Sequence, residues 1–193
     1  PSDPRVVPEA SAHWFWTNPG PGVVELGSVT IFDSSVATGM VEFTGDAGFL
    51  VGQPNDPIFP QHIRRVPPFY LDSHEVTVGE WKADDFPIPQ QLSEEQRRDD
   101  YPIALVNWDN AVAYAESVGK RLPDEIEYEF AATVGGRSKF PWGNDAPPAG
   151  DWTFGPVEDA PLDRLDTNPP TAGLYSNVAE WTSSWATFYP TAK

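Results

Sequence analysis

Residues 119–136 read GKRLPDEIEYEFAATVGG, and most of the architecture can be worked out from them. Pro123 suits the first position of a helix, where its missing N–H costs nothing. Asp124, Glu125 and Glu127 fall in the first turns, where the helix dipole favours acids by about 0.3–1 kcal/mol each. Ile126, Phe130 and Val134 recur at i, i+4 and i+8, with Ala131 beside them, and Gly135-Gly136 ends the run. A half-buried helix therefore accounts for every acid in the stretch without catalysis. Lys120 and Arg121 have two readings. They compensate the dipole of a preceding helix, or they anchor a carboxylate.

That preceding helix is equally plain. Asn107 is a good N-cap for WDNAVAYAESV. Trp108, Ala111, Val112, Ala115 and Val118 share one face, and Gly119 supplies the stop. Upstream, Thr77 caps a short helix running VGEW into KADD. Residues 84–102 form a polar, Pro-rich loop whose charge run SEEQRRDD is a solvated face. Residues 39–52 read as two short strands around the Gly45-Asp46 turn, and residues 53–62 as loop. Residues 64–78 read as a strand around Phe69 and Leu71, kept off a central ladder position by Pro67 and Pro68. VVELGSVTIF, residues 23–32, is a further strand. Residues 1–22 are rich in Pro and Gly, yet carry Trp14, Phe15 and Trp16, so this arm docks on its own domain or on a neighbouring subunit. Beyond residue 137 regular structure fades. A segment that dense in Gly, Pro, Asn, Asp and Trp must be held by buried aromatics or bound metal ions.

The 193 residues suffice for one ordinary domain with a small appendage, and the 39% hydrophobic and 13% aromatic content can build a core. Acids outnumber bases 29 to 12, a net charge of −17. Such a surface repels nucleic acid and anionic lipid. It suits Ca²⁺ and solubility outside the cell, or is simply a solvated acidic face. The chain has no Cys, which excludes disulfides, thiolate metal sites and Cys nucleophiles within it. No apolar run approaches the ~20 residues of a membrane span. The first residue is Pro, which fits a removed leader such as a signal peptide and equally fits an arbitrary point of division.

GMVEFTGDAGFLVG, PPFYLDSHEVTVGEW, YPIALVNWDNAVAYAESVGKRLPDEIEYEFAATVGG, FPWGN and GLYSNVAEWTSSW occur in that order over residues ~39–185. Their order resembles the formylglycine-generating enzyme, or sulfatase-modifying factor, family. The resemblance implies a variant of the C-type-lectin-like fold. This is an α+β domain with two packed helices, a small twisted antiparallel sheet and much irregular structure organised around Ca²⁺. The division it suggests is an N-terminal arm and strand over 1–36 and the family domain over 37–193.

Family enzymes oxidise a sulfatase Cys or Ser to formylglycine, and the oxygen-dependent ones hold copper with a Cys pair near the C-terminus. The present chain lacks Cys and stops twelve residues after Trp181, where the family continues through an Arg-Gly-Gly-Ser strand and the Cys-bearing segment. No copper is expected in it. It is read either as a non-catalytic relative or as the first part of a longer or cleaved protein. Ergothioneine-synthase relatives place iron on three His. Here His13, His62 and His74 are scattered, and His62 and His74 read as structural imidazoles.

Calcium is the cofactor the resemblance implies. Asn177 and Glu180 match its liganding side chains, with Val178 and Ala179 offering carbonyls. A second site implied by the family falls on Asp151, the carbonyl of Trp152, and Asp159. The loop before Asn177 is three residues shorter than the family pattern, with Ser176 in place of an Asp-Met-Val-Gly insert.

The leading expectation is a non-catalytic binding or structural domain that is extracellular, periplasmic or at the cell surface. It would assemble with another protein chain, or with itself, through an exposed sheet edge and the aromatic arm. The alternatives are the N-terminal part of a formylglycine-generating oxidase, and a lectin-like carbohydrate-binding module using Trp142, Trp152 and Trp185.

Overall fold

The computed structural model describes residues 38–56, 60–145, 154–157 and 163–185, with the backbone pairing of residues 16–17 and 25–26. The chain divides into two units, Pro1–Thr38 and Gly39–Lys193. In the first, β1 (Trp16–Thr17) pairs antiparallel with β2 (Glu25–Leu26). Of the strand expected over 23–32, those two residues are the described part; Trp14 and Phe15 lie outside the described residues.

The second unit opens with β3 (Met40–Phe43) and β4 (Asp46–Val51), the two short strands expected from the sequence. They do not pair with each other. β3 runs antiparallel to β6 (Phe69–Asp72), with Met40 opposite Asp72 and Phe43 opposite Phe69. β4 runs antiparallel to β5 (His62–Val66), with Asp46 opposite Val66 and Val51 opposite His62. The chain passes from one ladder to the other at Gly45, which sits at φ +70° against the carbonyl of Val66, where a Cβ would collide. The return crossing is Pro67-Pro68. The single strand expected over 64–78 is therefore two strands. Neither proline has an N–H to donate, so the ladder stops there and the chain changes partners. A last pair, β7 (Arg164–Leu165) and β8 (Thr171–Ala172), lies in the irregular C-terminal part.

Three α-helices follow among the described residues, of which α3 packs on β4 and β5. α1 (Val78–Ala83) begins at Thr77 with a full capping box: Thr77 Oγ1 accepts from Glu80 N at 3.1 Å, and Glu80 Oε2 accepts from Thr77 N at 2.8 Å. α2 (Trp108–Ser117) is capped by Asn107, whose Oδ1 accepts from Asn110 N at 2.8 Å. Its inward face differs from the expected stripe. Tyr114 and Ala115 are the buried residues, while Trp108 reaches solvent. The reason is Trp81 of α1, which is 1% exposed and stacks on the Tyr114 ring with centroids 4.9 Å apart, so α2 is turned toward α1.

α3 (Glu125–Ala132) starts two residues later than Pro123 would have it. Asp124 is the cap because its carboxylate can accept from Glu127 N, at 2.7 Å, which a proline ring cannot do. Glu127 closes the box by accepting from Asp124 N at 2.9 Å. Its side chain is buried, and beyond the helix-dipole role read from the sequence it accepts two bonds from the Arg121 guanidinium at 2.6 and 2.7 Å. Lys120 meets Asp72 at 2.6 Å. Both basic residues thus anchor carboxylates of their own chain.

The core gathers Phe49, Val51, Val66, Phe69, Ile126, Phe130, Ala131, Leu165 and Leu174. Val134, beyond the helix end at φ +55°, packs against it.

The two kinds of ion pair make a stability test. Arg121→Ala strands the Glu127 carboxylate inside the fold and is expected to cost about 2 kcal/mol. The exposed pair Lys82–Asp99 is solvated at both ends, so Asp99→Asn is expected to leave the urea midpoint unchanged. Equal midpoints for the two variants would contradict the assignment.

Candidate functional site

The loop after β8 is where chemistry collects. Asp163, 1% exposed, organises it from below: its Oδ2 accepts from Tyr175 N at 2.6 Å, Ser176 N at 2.8 Å and Ser176 Oγ at 3.1 Å. From the link between β6 and α1, Glu75 lays its carboxylate against Gly173, which holds φ +79° and has no room for a Cβ. From α3, Tyr128 Oη donates to Leu174 O at 3.1 Å and Glu180 Oε2 at 2.6 Å. Much of Glu180 faces solvent, but its carboxylate turns inward to Tyr128.

The charges do not balance. Both Glu75 oxygens and Asp163 Oδ1 are shielded from solvent and have no hydrogen-bond partner. The Lys and Arg ion pairs of the described residues go elsewhere, to Asp72, Asp99, Asp100 and Glu127. Burial pushes the Glu75 carboxyl up to about 7, with the Asp163 charge adding to the rise. Burial likewise pushes Glu180 up to about 8, and the charges of Glu75 and Asp163 add to it. The Tyr128 hydroxyl is raised by burial and by Glu180.

Of the ligand residues expected from the sequence, Asn177, Val178, Ala179 and Glu180 all lie on this loop. Asp151, Trp152 and Asp159 lie outside the described residues. Asn177 sits at φ +71° and turns its carboxamide to Gly155, accepting from its N–H at 3.0 Å and donating to its carbonyl at 3.2 Å. Glu180 instead shares its surroundings with Glu75 and Asp163. Orphaned buried oxygens and surplus negative charge fit a hard cation such as Ca²⁺. Among the described residues no three Asp, Glu or His side chains converge closely enough to cage a metal by themselves, so backbone carbonyls must contribute. The residues the sequence reading missed are Glu75, Asp163 and Tyr128. They come from three separate elements, and no spacing within the chain joins them to Glu180.

The two described histidines, His62 and His74, lie against backbone carbonyls, and His13 is outside the described residues. Nδ1 of His62 lies 3.0 Å from Pro60 O, and Nδ1 of His74 lies 2.8 Å from Glu75 O. Trp142 is only part-exposed, stacked on Phe140 with centroids 4.9 Å apart and edge-on to Tyr175 at 4.9 Å. Trp185 is 83% exposed. Beside the loop opens a cavity of about 190 Å³, walled by Trp81, Tyr114, Val118, Leu122, Val178 and Trp181 among others.

Comparison with known proteins places this geometry. Residues 32–191 match the sulfatase-modifying factor enzyme 1-like domain. The formylglycine-generating enzyme of Thermomonospora curvata is 38% identical over 123 residues, which is 54% of this chain and 39% of that enzyme. The inactive C-alpha-formylglycine-generating enzyme 2 of Bos taurus is 38% identical over 100 residues, 44% of this chain and 32% of that protein. The chain thus spans only about a third of the length of these relatives, 39% of the first and 32% of the second. Among solved structures, Treponema denticola variable protein 1 superposes with a TM-score of 0.62 at 17% identity, covering 80% of this chain and 75% of that one, which shows a shared fold. No helix among the described residues is long and apolar enough to cross a membrane. With five motifs in family order, the capped helices in place and a family match over residues 32–191, the chain belongs to the sulfatase-modifying factor enzyme 1-like domain family.

Proposed function

We propose that this chain is a non-catalytic, calcium-stabilised binding domain that works outside the cytoplasm as part of a protein assembly. The observation that carries the reading is the complete absence of cysteine from its 193 residues. The oxidation described for the family's oxygen-dependent enzymes runs through a copper-holding thiol pair, and no other side chain here supplies a soft ligand set for copper. A relative named as inactive, 38% identical over 100 residues, is consistent with loss of chemistry on a retained scaffold.

Calcium enters through the charge surplus at the loop. Glu180 and the carbonyls of Val178 and Ala179 would hold the ion, with Asn177 released from Gly155 or acting through its carbonyl oxygen. Glu75 and Asp163 would gain a counter-charge nearby. The ion's contribution is structural: it neutralises buried carboxylates and fixes the loop that carries Trp181. Assembly draws on the open edges of the two-stranded ladders and on exposed apolar surface.

Two measurements test this. Calcium at about 100 times its Kd is expected to raise the melting midpoint by about 5–10 °C, EDTA to reverse it, and Glu180→Gln to abolish most of the shift. A midpoint indifferent to calcium would remove the ion from the account. Incubated with Cu(I), oxygen and a sulfatase-derived Cys peptide, the chain is expected to yield no aldehyde. Formylglycine in the peptide by mass spectrometry would overturn the non-catalytic reading.

A further inference from the structure

We propose that Trp108, Trp181, Trp185 and Leu105 form a docking ridge for a basic segment of another protein, one carrying an apolar side chain between arginines or lysines. The inference deepens the binding role proposed above and rests on it.

The ridge is exposed and rigid at once. Leu105 is 65% exposed, Trp108 37%, Trp181 48% and Trp185 83%. Two of the indoles lock each other's segments. Trp181 Nε1 donates to Val106 O at 3.0 Å, and Trp108 Nε1 donates to Thr182 O at 2.9 Å. Trp185 lies over Trp108, ring centroids 6.4 Å apart and planes tilted by 37°. Rings held this way lose little freedom when a partner arrives, which is what large rigid anchors contribute at interfaces. Leu105 adds an independent oddity. It stands at φ +60°, a conformation costly for a branched side chain, and still points most of its surface at water.

Chemistry selects the partner. With both indole N–H groups of Trp108 and Trp181 committed to backbone carbonyls, these two rings offer only their faces, which are apolar and electron-rich. Exposed Asp109 follows Trp108, while the nearby cations Lys120 and Arg121 are already matched by Asp72 and Glu127. At a net charge of −17 a second copy, a nucleic acid or an anionic membrane is repelled, and a guanidinium or ammonium is drawn in. Val106 and Trp181 also line the 190 Å³ cavity, together with Ile103 and Leu122. An apolar cavity of about 150 Å³ suffices for benzene, so this one admits a leucine or phenylalanine side chain. The occupant that satisfies ridge, charge and cavity together is an apolar anchor flanked by cations.

The test uses the whole chain in saturating calcium and a fluorescein-labelled peptide, Arg-Leu-Arg-Phe-Arg, followed by anisotropy. Binding is expected to weaken about tenfold with Trp185→Ala and severalfold with Asp109→Asn. It is also expected to fall as NaCl rises from about 50 to about 300 mM. Replacing each Arg by citrulline is expected to remove most of the affinity. Trp185 is so exposed that its alanine variant should melt with the parent, which separates lost docking from lost folding. Equal binding of the citrulline peptide, indifference to Trp185→Ala, or no binding of the Arg peptide overturns the proposal. So does a response of the ridge to cellohexaose or mannohexaose alone, which would make it a sugar platform. None of these outcomes touches the calcium-dependent melting or the aldehyde assay, so the two readings fail separately.

Discussion

Phe130 is the side chain on which the arrangement turns. Its ring meets Phe49 edge-on with centroids 5.1 Å apart, and Phe69 at 6.2 Å, so one residue of α3 touches both of the larger ladders. β3–β6 and β4–β5 share no strand, and the chain crosses between them only at Gly45 and at Pro67-Pro68. Small ribbons of two strands are marginal in water. What joins them is the apolar wedge of α3, with Ile126 and Ala131 on the same face. The rotation of α3 about its axis is thereby fixed. Tyr128, two residues earlier, is left pointing toward the loop at 174–180, where it bonds Leu174 and Glu180. The Arg121–Glu127 pair and the Asp124 cap pin the start of the same helix. The position of Glu180 is thus a consequence of how Phe130 packs.

That placement creates the molecule's main electrostatic conflict. Three carboxylates, Glu75, Asp163 and Glu180, are brought near one another, and burial disfavours the charged forms of Glu75 and Glu180. Asp163 spends one oxygen on the amides of Tyr175 and Ser176, which shapes the loop and leaves the other oxygen unpaired. A single Tyr128 hydroxyl cannot satisfy the remainder. A proton or a hard cation would relieve the surplus, and calcium is the cation proposed for it. The loop and the ridge are continuous, since Glu180 is followed by Trp181, whose indole reaches Val106. An ion that orders Glu180 would also hold one wall of the docking surface.

The local signals in the sequence were read well where the deciding chemistry was local. Thr77 and Asn107 cap the helices assigned to them, and Gly45-Asp46 does separate two strands. Errors arose where a distant residue settled the matter. Tyr114 became the buried face of α2 because Trp81 stacks on it, which no periodicity within α2 could reveal. Glu127 was read only as a dipole-favoured acid of the first turns, and its burial goes with Arg121 folding back over it. The loop from Asn177 to Glu180 was found by motif, but its acidic neighbours were not. Glu75 lies in a strand-to-helix link and Asp163 in irregular chain, and only the tertiary fold brings them together.

The parts of the family fold present here hold a particular kind of surface in place. The elements kept here, the capped helices, the aromatic wedge and the Arg121–Glu127 clamp, are those that hold backbone in place. They do so irrespective of whether any thiol is present. The N-terminus of α2 is fixed by Asn107, immediately before Trp108, and the mutual indole bonds transfer that rigidity to residues 181–182. A recognition surface needs such inherited stiffness more than an active site does, because its affinity falls with every rotamer that binding must freeze. The ridge proposed above would draw on that stiffness, with its aromatic rings held by backbone carbonyls and the surrounding acidic surface biasing the choice of partner by charge.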